Sequence, residues 1–217
     1  MDLREKRKQE QEEIKKQRMD EVIDAALRVF IKQGIDKTKM TDIAEEAEIG
    51  VASVYRYFKT KPDIAIEAAN KLWKEEIGNL EERYKSSLPA GKTGREQVAG
   101  GLLLFLEIYQ EHTDFLKFLD EFDRYIVKEQ IVQEKMEKYE DSIIDFKAVI
   151  IQAIESGKED GSIRQDLNSE VYYFSVTHAL MALSQKLALR GRVLTSDELI
   201  NGEQQLQMIL DMAIRYL

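Results

Sequence analysis

Apolar residues recur three and four positions apart through most of the chain, the period of a helix with one buried side. The first clear run is Met19, Val22, Ile23, Ala26, Leu27, Phe30 and Ile31, and it stops at Gly34, a residue suited to the position just past a helix end. A polar link leads to Thr41, which has the chemistry of an N-cap, with Glu45 near the reciprocal capping position. This predicts a helix of two turns before Ile49 and Gly50, then a third short helix over 51–57. Lys61-Pro62-Asp63 marks the next boundary, because proline suits a first helical turn and disfavours helix just before it.

From Asp63 a long helix is predicted on Ala65, Ala69, Leu72, Trp73, Ile77, Leu80 and Tyr84, ending near Leu88-Pro89 with a surface loop over 90–94. Four to six helices come after it. One covers 95–111, and another after Thr113 carries Phe115, Phe118, Leu119 and Phe122. A longer one carries Tyr139, Ile143, Phe146, Ile150 and Ile154 and breaks within 157–161. The stretch 171–189 is apolar on nearly all sides, so it needs burial on two faces. The expectation is a two-fold dimer interface of four helices, built from those near 139–156 and 169–189; a fully internal helix in a monomer is the alternative. With only two prolines, the chain reads as all-α.

Charge changes this picture little, once its distribution is seen. The net charge is −9, yet residues 1–63 hold 14 Lys/Arg and 14 Asp/Glu, so all the acidity lies beyond them. Phosphate contacts depend on basic groups within a screening length of ~8 Å, so the acidic remainder does not exclude nucleic acid. Cysteine is absent, which excludes disulfides, a thiolate zinc site and a cysteine nucleophile. His112 and His178 lack metal-ligand spacing, and no phosphate-binding glycine loop is present. No enzyme activity, catalytic residue, metal or cofactor is expected. The charged start lacks an apolar core for a signal peptide, and runs such as 102–106 are too short to span a bilayer. A cytoplasmic protein with no membrane partner is the expectation.

Two short helices after a supporting helix are a common way to present a helix to the DNA major groove. Ile43, Ala44, Ala47, Ile49 and Val54 supply a small apolar wedge between them, and the outward side offers Gly50, Val51, Ala52, Ser53, Tyr55 and Arg56. The segment TDIAEEAEIGVASVYRYFKTK at 41–61 resembles the recognition motif of the TetR family of regulators, through Ile43, Ala44, Ala47, Tyr55, Tyr57, Phe58, Lys59 and Lys61. The Phe30, Gly34, Thr38 spacing and GKEDGSIRQD at 157–166 also resemble that family. Two positions depart from it: Glu48, where a turn glycine is usual, and Gly50, where serine or threonine is usual.

The resemblance implies an N-terminal three-helix helix-turn-helix DNA-binding domain over 19–63, preceded by a charged arm over 1–18. A larger helical effector-binding and dimerisation domain would cover 64–217. It implies a repressor that binds a palindromic operator in double-stranded DNA as a homodimer and is released by a small, hydrophobic effector. Tyr57, Lys59 and Thr41 would hold phosphates, helped by Thr38 and Lys39, while Val51, Ala52, Ser53, Tyr55 and Arg56 would face the groove. Gly50 opens the recognition helix, and Phe58 reads better as core. Trp73, Phe105, Tyr109, Phe115, Phe118, Phe122 and Tyr125 would line the effector pocket, although aromatics at helical spacing also serve as plain core. A helix from 63 to 87 would be the lever between the two parts. The arm reads equally as a solvated tail or as a DNA-tracking element. The rival reading is a helical protein-interaction module without sequence-specific DNA binding.

Overall fold

The computed structural model describes residues 3–87, 91–191, 193, 195 and 199–217. The expected helix end at 88–89, and the side chains of Leu80 and Ile143, lie outside what it describes. Among the described residues there are nine α-helices and no strand. These are α1 (Leu3–Gln33), α2 (Met40–Glu46), α3 (Val51–Tyr57), α4 (Lys61–Ser87), α5 (Gly94–Glu111), α6 (Thr113–Lys128), α7 (Glu137–Glu159), α8 (Ser169–Arg190) and α9 (Gly202–Tyr216). The charged arm is therefore the first half of α1, continuous with the amphipathic run behind it.

Two compact units divide the chain, the first being Met1–Lys71 with Glu121–Tyr139, the second Leu72–Asp120 with Glu140–Leu217. The divisions fall inside α4, α6 and α7, beyond the boundary at 63 expected from Lys61-Pro62-Asp63. In the first unit Val22, Ala25, Ala26 and Phe30 of α1 are buried, as are Ile43, Val54, Phe58 and Ile64. Residues 121–139 add Phe122 and Tyr125, both also buried. Fully burying a side chain of the size of Val or Phe stabilises by about 1.5–3 kcal/mol, so these few anchors can hold a unit built on short helices.

The second unit has a continuous core of Val98, Leu102 and Phe105 from α5, Phe146, Ile150 and Ile154 from α7, Leu180 and Leu187 from α8, and Leu206 and Leu210 from α9. α5 and α7 approach so closely that a Cβ on Gly94 would lie 2.1 Å from the backbone nitrogen of Gly157. Thr93 caps α5, accepting from the Glu96 N–H while the Glu96 carboxylate accepts the Thr93 N–H at 2.8 Å. Asn168 caps α8, its side-chain oxygen accepting the Val171 N–H at 3.0 Å.

In α7 Phe146, Ile150, Ala153 and Ile154 are buried, Val149 and Ile151 are half-buried and Ala148 is exposed. Large apolar side chains left uncovered include Val171 and Phe174 on α8 and Met208, Met212 and Tyr216 on α9. The three on α9 are spaced four apart and form one stripe.

Candidate nucleic-acid interface

The interface is built from the α1–α2 link upward. Asp42, third residue of α2, accepts the Lys39 N–H at 2.9 Å and the Gln33 side-chain amide at 3.0 Å. The bond from the Lys39 backbone, first among several, holds the Asp42 carboxyl below its ordinary pKa. This carboxylate starts the helix at Met40, so Thr41 is not the cap: it is exposed in the first turn, its hydroxyl 3.4 Å from Asp42. Thr38 is also placed differently from the expectation. It is buried, and its hydroxyl donates to the Gly34 carbonyl at 2.7 Å, closing the link rather than facing a phosphate.

The turn between α2 and α3 explains the departure at Glu48. The Ile49 N–H donates to the Ala44 carbonyl at 3.0 Å and the Glu48 N–H to the Glu45 carbonyl at 3.1 Å. This is the paired bonding of a Schellman helix end, which requires a left-handed residue at the position just past the helix. Glu48 fills it with φ of 54°. Glycine would occupy that conformation without the Cβ clash that costs other residues about 1–2 kcal/mol.

Gly50 then opens α3, its carbonyl accepting from the Ser53 N–H at 2.8 Å. Only Val54 of α3 is buried, and Phe58 is buried just beyond it. Opposite Val54 on the helix lie Ala52 and Arg56, flanked by Val51, Tyr55 and Ser53; all but the half-buried Ser53 are exposed. Arg56 lies on its neighbour, donating to the Tyr57 hydroxyl at 3.0 Å with its guanidinium 5.0 Å from the ring centre. Tyr57 is half-buried and Lys59 exposed, at the C-terminal end of the same surface. The surface therefore presents small groups at the start of α3 and donors at its end.

Two supporting roles do not follow from local spacing in the sequence. The Lys61 ammonium donates to three carbonyls of the α1–α2 link, Ile35 at 2.7 Å, Thr38 at 3.0 Å and Asp36 at 3.2 Å, and stands 5.1 Å from the Tyr125 ring centre. Burial pulls its pKa below the ordinary lysine value, against the opposing charge of Asp36. Glu121 accepts the Ile35 N–H at 2.7 Å and lies over Gly34, whose φ is 90° and whose Cβ, if present, would be 2.5 Å from the Glu121 carboxylate oxygen. Both side chains act on backbone atoms far away along the chain, which no local spacing reveals.

The expected effector residues divide. Trp73 and Phe105 line an apolar cavity of about 20 Å³ with Ile77, Leu104, Ile108, Phe146 and Met181. Phe115 packs on Trp73 with ring centres 5.4 Å apart, and Phe118 is buried without lining the cavity. Tyr109 lies over Gly202 at the start of α9. Phe122 and Tyr125 belong to the other unit, where Phe122 packs on Tyr139 and Tyr125 on Lys61; the stripe they share with Phe115 and Phe118 continues along α6, but its packing partners change.

Residues 22–74, which contain the link, both short helices and the start of α4, match the family described as bacterial regulatory proteins, tetR family. These residues form a TetR-family domain. The chain is therefore a DNA-binding transcriptional regulator, and the exposed side of α3 is the candidate DNA-reading surface. The uncharacterized HTH-type transcriptional regulator YhgD of Bacillus subtilis is 29% identical over 143 residues, 66% of this chain and 70% of that protein. The HTH-type transcriptional repressor KstR2 of Mycolicibacterium smegmatis is 25% identical over 203 residues, 89% of each chain. In fold, the chain resembles the regulator FadR of Bacillus subtilis, solved in complex with stearoyl-CoA, with a TM-score of 0.64 at 18% identity over 91% of this chain and 98% of that one.

Proposed function

We propose that this regulator is a repressor that binds a two-fold symmetric operator as a homodimer through α8 and α9, and leaves it when a hydrophobic effector opens the cavity at Trp73 and Phe105. The reading rests chiefly on one observation, the uncovered apolar stripe of Met208, Met212 and Tyr216, with Val171 of α8 lining the same cleft as Met212 and Tyr216. Monomeric proteins rarely expose such a contiguous patch. A two-fold axis through it would pair two recognition helices, as palindromic half-sites require.

The effector class comes from the cavity lining, which is wholly apolar. A drug-sized ligand needs roughly 300–1,000 Å³, so a cavity of about 20 Å³ must open to admit one. A ligand that binds only the opened form shifts the population towards it by its differential affinity. α4 carries both Trp73 and Ile77 and begins at Lys61, the residue that fastens the α1–α2 link, so movement of α4 reaches the reading surface by chain continuity. The similar fold of FadR, solved with stearoyl-CoA, supports an acyl chain as the first compound class to test. No helix among the described residues is long and apolar enough to cross a membrane, and a cytoplasmic location fits that reading.

Selection of bound duplexes from a random pool tests this directly. The expected product is a palindrome with half-site centres about 10 bp apart or a multiple of it, released when long-chain acyl compounds are added. Enrichment of asymmetric single sites would overturn the dimer, and no enrichment would favour a helical interaction module instead.

A further inference from the structure

Residues 3–21 precede the segment that matches the family, yet they form the first half of α1 without a break. At 100° per residue the side chains of this extension sort by charge. Arg4, Arg7, Lys8, Gln11, Lys15 and Arg18 fall within an arc of about 100°. Glu5, Glu10, Glu12 and Glu13 all fall outside it, as do Lys6 and Lys16. All of these side chains are exposed. Along the sequence the acids and bases alternate; on the helix one side is basic.

The second half of α1 fixes where that side points. The same arc continues into Val22, Ala25 and Val29, which are buried against the body of the first unit. Met19, at the arc's edge, shares a surface cleft with Tyr57, Phe58 and Lys59. The extension thus leaves the body beside the end of the reading surface that carries Tyr57 and Lys59, with its basic side in line with the buried side of α1. Two of the stripe's members have weak local partners, Lys8 with Glu12 at 3.9 Å and Arg18 with Glu21 at 2.7 Å. Exposed i,i+4 and i,i+3 pairs of this kind are worth only about 0.3–0.5 kcal/mol and yield readily to a phosphate.

We infer that the N-terminal half of α1 is a second DNA-binding element, whose Arg4–Arg7–Lys8–Lys15–Arg18 stripe tracks the sugar-phosphate backbone outside the half-site read by α3. Roughly sixteen residues of helix reach about 24 Å, the span of about seven base pairs at ~3.4 Å each. The element carries no sequence information, because phosphates are alike; it adds affinity and length to the footprint. This inference rests on the DNA-binding reading of α3.

The test compares two variants of the full chain with equal charge. Lys8→Gln with Lys15→Gln removes two stripe lysines, and Lys6→Gln with Lys16→Gln removes two off-stripe lysines; glutamine keeps helix propensity close to lysine's in both. Binding to a mixed-sequence duplex of about 40 bp is monitored by fluorescence anisotropy between roughly 50 and 200 mM KCl. The stripe pair is expected to flatten the slope of log K against log[salt] by about 1.8 per protomer, and to weaken binding at about 0.1 M by roughly tenfold or more. The off-stripe pair is expected to stay within about twofold of the unsubstituted protein. Equal effects from the two pairs, or no effect from either, overturn the stripe while leaving α3 as a DNA reader. Failure of the unsubstituted protein to bind duplex DNA overturns both.

Discussion

Replacing Lys61 by methionine removes one ammonium and keeps nearly all of the side chain's length, so its stem can still lie near Tyr125. The change deprives three carbonyls of a charged donor: Ile35 and Thr38, in part-buried bonds at 2.7 and 3.0 Å, and Asp36, in an exposed bond at 3.2 Å. The Asp36 carbonyl can turn to water at little cost. The other two each lose a bond of a kind worth about 1.5–3 kcal/mol when the donor is charged, but partial rehydration recovers some of that. A net loss of about 2–3 kcal/mol is expected. For a chain of this size each kcal/mol moves the melting temperature by about 2–4 °C, so Lys61→Met should melt roughly 4–12 °C lower. Urea unfolding monitored by circular dichroism gives the free energy, and anisotropy on duplex DNA gives the affinity. Lys59→Met is the control: Lys59 is exposed at the reading surface, so it should lose DNA affinity with a stability change under about 0.5 kcal/mol. If Lys61→Met also costs less than that, the ammonium does not hold the link and the account of how α2 and α3 are supported is wrong.

Glu48→Gly relieves a left-handed residue that costs about 1–2 kcal/mol, against about 0.4–1 kcal/mol of added unfolded-state freedom; a thermal melt should show a small gain in stability, and a loss would contradict the turn geometry. Met212→Glu should convert the dimer to a monomer in sedimentation equilibrium, whereas Ala148→Glu on the exposed side of α7 should not; the reverse pattern would place α7 in the interface instead. Backbone and hydroxyl donors lower the pKa of Asp42 through Lys39, of Glu96 through Thr93, and of Asp160 through Ser162. Stability from these groups is fully present above the ordinary carboxylate pKa and is lost as pH falls through the lowered folded values. Urea midpoints should therefore hold from about pH 7 to about 5 and fall below about 4, with a shallower fall in Glu96→Gln; an unchanged acid limb in that variant would refute the assignment.

Periodicity was enough to place most helix starts to within a few residues, because each helix buries one side and the buried residues repeat at its pitch. It also found the outward side of α3, since Val54 alone of that helix is buried. The misses have a common cause. Thr41 looked like a cap by chemistry, but Asp42 reaches the Lys39 N–H first, a competition that side-chain type alone does not rank. Phe122 and Tyr125 sit on the same helical stripe as Phe115, and only the change of packing partner partway along α6 separates them. Lys61 and Glu121 serve carbonyls and an N–H that carry no signature in the sequence. At Glu48 the departure from the family was visible, while its meaning needed the φ angle.

The exposed side of α3 is expected to read DNA sequence while the residues after it hold the backbone. Affinities of Arg56→Ala and Lys59→Ala for the selected operator and for random duplex, measured across salt, separate those roles. Arg56→Ala is predicted to lower the ratio of operator to random binding by about 1–3 kcal/mol per half-site, with random binding little changed. Lys59→Ala is predicted to weaken both equally and to reduce the salt slope by about 0.9 per protomer. An operator-to-random ratio that Arg56→Ala leaves intact, with equal losses on the two duplexes, would contradict the assignment of sequence reading to this face of α3.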